Sequence, residues 1–242
     1  MIQLNRAVLV TIGIYVIFGF FNDIPCRAES KSEMIKRVRV KSCVEDVSRT
    51  EARISFFEQL QADIDQVLKQ IETISPQASF INQAQSAETV LTNLLTALTS
   101  HNRTKQTICA HLGPVPGDAT SGYKGMSKSE RIRRIRTDYC TDDQQNGESI
   151  RREIPALKAA MKKMLRVNPS DELLNEPIRQ LQDQWSRMIP IVDDLYDEQM
   201  LARELCKAID QGVSKSELIR INRQGLESGG AAPYFLHLIT YP

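Results

Sequence analysis

The sequence predicts an all-α protein, an elongated helical bundle of two antiparallel helical hairpins with short accessory helices. Three observations predict it. Apolar residues recur every three or four positions over helix-length stretches, a single Gly/Pro-rich stretch divides them, and the cysteines fall symmetrically about a helix-breaking dipeptide. Only 6% of the 242 residues are aromatic, which argues against a sheet-rich fold. The length is ample for a proper core, and a net charge of +1 provides no global field for nucleic acid or other polyanions.

Residues 1–28 read as a signal peptide. Arg6 gives a modest basic region, Ala7 to Phe21 is an apolar run of fifteen residues, and Cys26-Arg27-Ala28 has small-x-small cleavage spacing. The run is shorter than the roughly 20 apolar residues of a membrane-spanning helix. The competing reading is an uncleaved inner-membrane anchor at residues 7–21, with Arg27, Lys31, Lys36, Arg37, Arg39 and Lys41 behind it on the cytoplasmic side. Asp23-Ile24-Pro25-Cys26 is a poor lipobox.

Residues 29–112 form the first predicted hairpin. Phe57, Leu60, Ile64, Val67, Ile71 and Ile74 lie on one stripe before Ser75-Pro76. Ala84, Ala87, Leu91, Leu94, Leu98, His101, Lys105, Ile108 and Leu112 lie on another after it, apolar except at two positions. Proline disfavours a helical residue before it and lacks an N–H, so one helix ends and the next begins there, folded back antiparallel. Lys31 to Lys41 is strongly basic and reads as a frayed or partner-facing extension. Residues 113–126 carry four glycines and two prolines and read as a surface loop.

Residues 127–224 form the second hairpin with short flanking helices. Ser127-Lys128-Ser129-Glu130 has capping-box spacing and opens a short helix to about Asp143, with a turn over Gln144–Gly147. A helix over 148–167 places Ile150, Ile154, Leu157, Met161 and Met164 on one face. After Asn168-Pro169-Ser170, a long helix capped by Ser170 or Asp171 runs along Leu174, Ile178, Leu181, Trp185, Met188, Val192 and Leu195. It continues through Gln199, Ala202 and Cys206, with a kink expected at Pro190 and an end at Gly212. Ser214-Lys215-Ser216-Glu217 repeats the capping spacing for a helix to about Gln224. Residues 225–242 read as a flexible spacer and an apolar tail, and no repeat of 20–50 residues marks a solenoid.

Removal of the signal leaves Cys43, Cys109, Cys140 and Cys206, an even count that favours disulfides in an exported chain. Cys43 and Cys109 are each 33 positions from Pro76, so they face each other in the hairpin and should be bonded; Cys140–Cys206 follows by exclusion. The alternative is Cys109–Cys140, closing the central loop. Closing a loop of about 67 residues stabilises by roughly 4 kcal/mol in the chain-entropy model.

No constellation points to catalysis, a cofactor or a metal. His101, His111 and His237 lack zinc spacing, and there is no G-x-S-x-G, P-loop or dinucleotide fingerprint. Cys109-Ala110-His111 faces two ways on a helix, and Asp193-Asp194 with Asp197-Glu198 reads as the wet face of one. Lys and Arg dominate 151–166 while Asp and Glu dominate 171–198, a charge contrast that favours pairing of the two helices. Two segments are candidates for partner binding. Arg131, Arg133, Arg134 and Arg136 flank an apolar stripe of Ile132, Ile135 and Tyr139; this suits a helix docked with snorkelling arginines, or contact with an acidic partner or anionic lipid head groups, rather than nucleic acid. Tyr234, Phe235 and Leu236 belong to a tail that either packs on the bundle or docks on a partner. The expectation is an exported, periplasmic or extracellular interaction protein of a bacterial envelope, an accessory or pilus-type component of a secretion or conjugation apparatus that meets other envelope proteins. The alternatives are a small exported enzyme with a site assembled from distant residues, and a membrane-anchored coiled-coil protein.

Overall fold

The computed structural model describes residues 31–74, 78–112, 123–166, 172, 175–227 and 235–240. The signal segment, the Ser75-Pro76 hinge, residues 113–122 of the loop and Tyr234 lie outside them. The described residues are helical almost throughout, in keeping with an all-α bundle. Helix α1 (Lys31–Val40) passes through a π-helical turn (Lys41–Glu45) into α2 (Asp46–Ile74), followed by α3 (Ala78–Leu112). Helix α4 (Lys128–Asp142) passes through a second π-helical turn (Asp143–Gly147) into α5 (Glu148–Met164). Then come α6 (Asn175–Asp210), α7 (Lys215–Glu227) and the short α8 (Phe235–Thr240).

The partners across each helix pair fix direction. Cys43 meets Cys109, Glu51 meets Gln106, and Gln61 meets Thr92, so position falls on α3 as it rises on α2. Cys140 meets Cys206, Arg151 meets the Gln199 carbonyl, Lys158 meets Asp193, and the Leu165 carbonyl meets Gln182. Both pairs are antiparallel. Helix α3 packs most extensively against α5 and α2, and α6 closes on α2 and α5. The Lys158–Asp193 bridge, at 2.5 Å, is one product of the charge contrast between α5 and α6.

Several boundaries differ from expectation. The turn expected at Gln144–Gly147 is absent: Asp143, Gly147 and Glu148 keep right-handed helical dihedrals, and the chain stays helical from α4 into α5. A π-helical turn absorbs the polar stretch that reads as a break, because Asp143 finds an internal partner in Arg151. The cap expected at Ser170 or Asp171 lies outside the described residues, and α6, described from Asn175, remains one element through Pro190. Helix α7 runs past Gln224 to Glu227, taking in Gly225. Its start is capped by Ser214, whose Oγ accepts the Glu217 N–H at 3.3 Å. At the end of α6, Gly212 adopts φ 67°, and the Val213 N–H donates to the Ala208 carbonyl at 3.1 Å in a Schellman closure.

Residues from Ile35 onward form one unit with two apolar cores. One joins Phe57, Leu60 and Ile64 to Leu91, Leu94 and Leu98, and continues through Leu157, Met161, Leu181 and Met188. The other, at the base, gathers Ile108, Tyr123, Tyr139, Leu205, Leu218, Phe235 and Ile239 around all four disulfide cysteines. Both pairings match the expected ones: Cys43–Cys109 and Cys140–Cys206 each have Cα–Cα 5.4 Å and a sequence separation of 66.

The two hairpins share a register of landmarks. Lys31 and Lys128, which open α1 and α4, are 97 positions apart. The same shift carries Cys43 to Cys140, Asp46 to Asp143, Ala78 to Asn175 and Cys109 to Cys206. Ser30-Lys31-Ser32-Glu33 recurs as Ser127-Lys128-Ser129-Glu130 and again as Ser214-Lys215-Ser216-Glu217, so α7 opens as α1 and α4 do. The period is far longer than that of a solenoid, and the correspondence is visible once the helices are aligned.

Candidate functional site

Between the two cores, each long helix contributes polar side chains to a sealed layer. Glu198 of α6 lies between Arg53 of α2 and Lys105 of α3, accepting from Arg53 Nη1 at 2.6 Å and from Lys105 Nζ at 3.2 Å. Burial pushes the Glu198 carboxyl up, but the two cations outweigh it and hold the group at about 2. Glu198 is therefore not on the wet face of its helix, as its sequence neighbours suggest. It is only 6% exposed, because cations from two other helices neutralise it there.

A second group surrounds Asp142. It pairs with His101 Nδ1 and accepts from Thr104 Oγ1 at 2.8 Å and Asn146 Nδ2 at 2.6 Å. Burial raises its carboxyl, and the His101 contact with the two other donors more than reverses this. Nearby, Arg151 Nη1 donates to Asp143 Oδ1 at 2.7 Å and to the Gln199 carbonyl at 3.0 Å, while Nη2 donates to the Asp143 carbonyl at 3.2 Å. Gly147 makes this clasp feasible: a Cβ there would lie 2.3 Å from Asp143 Oδ1 and 3.1 Å from Arg151 Nη1. A histidine oriented by a carboxylate is the geometry of a general base. His101, however, is 1% exposed and closed off by Tyr139, whose ring meets it edge-on at 5.7 Å, so no substrate reaches it in this conformation.

Helix α8 closes the layer from the base. The Phe235 N–H donates to Asp46 Oδ2 at 2.5 Å, and its ring stacks on Tyr139 at 5.3 Å and lies 5.7 Å from Lys105 Nζ. Burial raises the Asp46 carboxyl to about 6, against the lowering effect of the Phe235 N–H. On α8's other side, Asn222 of α7 donates to Thr240 Oγ1 at 3.3 Å. Of the tail residues expected to dock or pack back, Phe235 and Leu236 are fully buried, so they are core residues and present no surface to a partner.

The basic residues of α4 separate by flank. Ile135 and Tyr139 are buried and the arginines stand to either side. Arg134 is exposed and pairs with Asp138, at 3.0 Å. Arg131 is half-buried, and its Nε has no hydrogen-bond partner among the described residues. On the opposite flank, Arg136 donates through Nε to the Ile239 carbonyl at 2.8 Å, and burial lowers its pKa. Arg133 and Arg136 line a surface groove of about 560 Å³ together with Ile132, Ile209, Asp210 and Lys215. Cys140 also lines this groove, and a smaller recess beside it is lined by Arg133 and Arg134 with Met126 and Glu130.

The signals for the buried layer lay partly in the sequence. His101 and Lys105 interrupt an apolar stripe on α3, and Gln199 interrupts the seam of α6. The shared register adds another, since it carries Asp46 to Asp143, His101 to Glu198 and Asn102 to Gln199, all buried. Among the described residues no group of three or more histidine, cysteine or carboxylate side chains could hold a metal ion. Comparison with protein-family models, curated proteins and solved structures found no match.

Proposed function

We propose that this chain is an exported, non-catalytic helical interaction protein of a bacterial envelope, an accessory or pilus-type component of a secretion or conjugation apparatus. The observation that carries the reading is the pair of disulfides, one per hairpin, crosslinking the same base core. Such bonds form and persist in oxidising compartments, and they hold α4 with its cations on a rigid support. Rigid presentation suits recognition, because little ordering entropy remains to be lost on binding.

The test uses the full-length gene expressed in its bacterial host. Peptide mapping without reduction should return Cys43–Cys109 and Cys140–Cys206 from the envelope fraction, with a mature start near Glu29. Photo-crosslinking from exposed α4 positions such as Lys128 should then recover an envelope protein. Four free thiols in a cytosolic product would overturn the reading.

A further inference from the structure

We propose that the groove between α4 and the start of α7 is a docking site for an acidic peptide segment of a protein partner, one carboxylate of which sits on Arg136. The proposal rests on the interaction role assigned above and names what that role recognises. Arg136 carries the argument. Its guanidinium is half-buried and fixed in place by the Ile239 carbonyl, yet among the described residues no carboxylate lies within 4.0 Å of it. A cation that has given up part of its hydration without a counter-charge is poised to take one. Arg133, one helical turn back on α4, and Lys215, from the Ser-Lys-Ser-Glu start of α7, line the same recess, where Asp210 is the sole acidic group among the described residues. The lining thus carries three cations against one anion.

Part of the lining is apolar, among Ser129, Thr137, Thr141 and Gln144. Ile132 and Ile209 lie beside Cys140, so an aliphatic side chain next to the acid has somewhere to go. The recess has the size of sites that take small ligands or a few peptide side chains. Its concavity favours a peptide over a bilayer, since a planar layer of head groups meets the exposed Arg133 and Arg134 before it reaches Arg136.

The experiment is fluorescence anisotropy with the disulfide-bonded mature chain and a labelled hexapeptide of glutamate and leucine. A glutamine/leucine peptide and phosphatidylglycerol vesicles serve as comparison probes. The acidic peptide should bind and the neutral one should not. Arg136→Gln should weaken binding by about tenfold or more. Because that substitution also loosens the Ile239 contact, the double variant Arg133→Gln/Lys215→Gln provides a second reading that leaves the contact intact, and it should weaken binding comparably. Arg179→Gln, on α6 and paired with Glu176 outside the groove, should leave binding unchanged. Equal binding by all variants, binding to vesicles alone, or no binding of the acidic peptide would each overturn the proposal. An intact disulfide map and envelope crosslinks alongside such a failure would leave the interaction role standing and remove only this site.

Discussion

At the scale of single residues, the buried layer makes stability depend on pH in two opposing ways. Asp46 has its carboxyl raised from 3.8 to about 6, so the folded state holds this proton more tightly than the unfolded chain does. Its contribution is complete below the ordinary carboxyl range and is lost as pH rises through about 6. Asp46→Asn should therefore remove part of the decline in stability between about pH 5 and about pH 7, read by urea denaturation at each pH. Glu198 has the reverse sign: held at about 2 instead of 4.5, it stabilises the fold above 4.5 and ceases to as pH falls toward 2. Glu198→Gln leaves Arg53 and Lys105 buried without a counter-charge and should cost about 3–5 kcal/mol at neutral pH in the same assay. His101 and Lys105 betrayed their burial by standing in an apolar stripe. Glu198 gave no such sign, because Arg53 and Lys105 are 145 and 93 positions away and local periodicity carries no information about them.

At the scale of elements, hydrophobic spacing and capping residues specified most helices, while local polarity misled at one place. Asp143-Gln144-Gln145-Asn146-Gly147 has the composition of a turn, yet it is helical because its buried carboxylate, Asp143, is satisfied by Arg151, which a reading of the stretch alone cannot see. Gly147 is required there for space rather than for a special dihedral, since its backbone is ordinary right-handed helix. Gly147→Ala should destabilise the protein by about 1–3 kcal/mol through displacement of the Asp143–Arg151 clasp, despite alanine's better helix propensity. Thermal melting of Gly147→Ala beside Gly125→Ala separates this from a backbone effect: Gly125 has open space but a φ of 81°, so its cost is conformational. The apolar tail showed the opposite limit. Its composition announced burial without saying against what, and the answer lies at Asp46, 189 positions earlier.

At the scale of the whole molecule, the symmetric placement of Cys43 and Cys109 about Pro76 was enough to select both disulfides, because an antiparallel hairpin converts equal sequence distance into equal height. In the shared register the second pair repeats the first separation of 66 residues. Equivalent loops should stabilise alike: Cys43→Ser/Cys109→Ser and Cys140→Ser/Cys206→Ser should each lose roughly 4 kcal/mol in guanidinium titrations, a loss a reductant reproduces in the parent. Helix α8 belongs to neither hairpin, yet it supplies the aromatic ring that covers Lys105 and the amide that Asp46 holds. Residues 235–240 follow both hairpins in the chain, so the amide that Asp46 holds and the ring over Lys105 join the base core only after both hairpins have been made. A chain stopped before Phe235 would hold both hairpins yet leave the base core without its last wall.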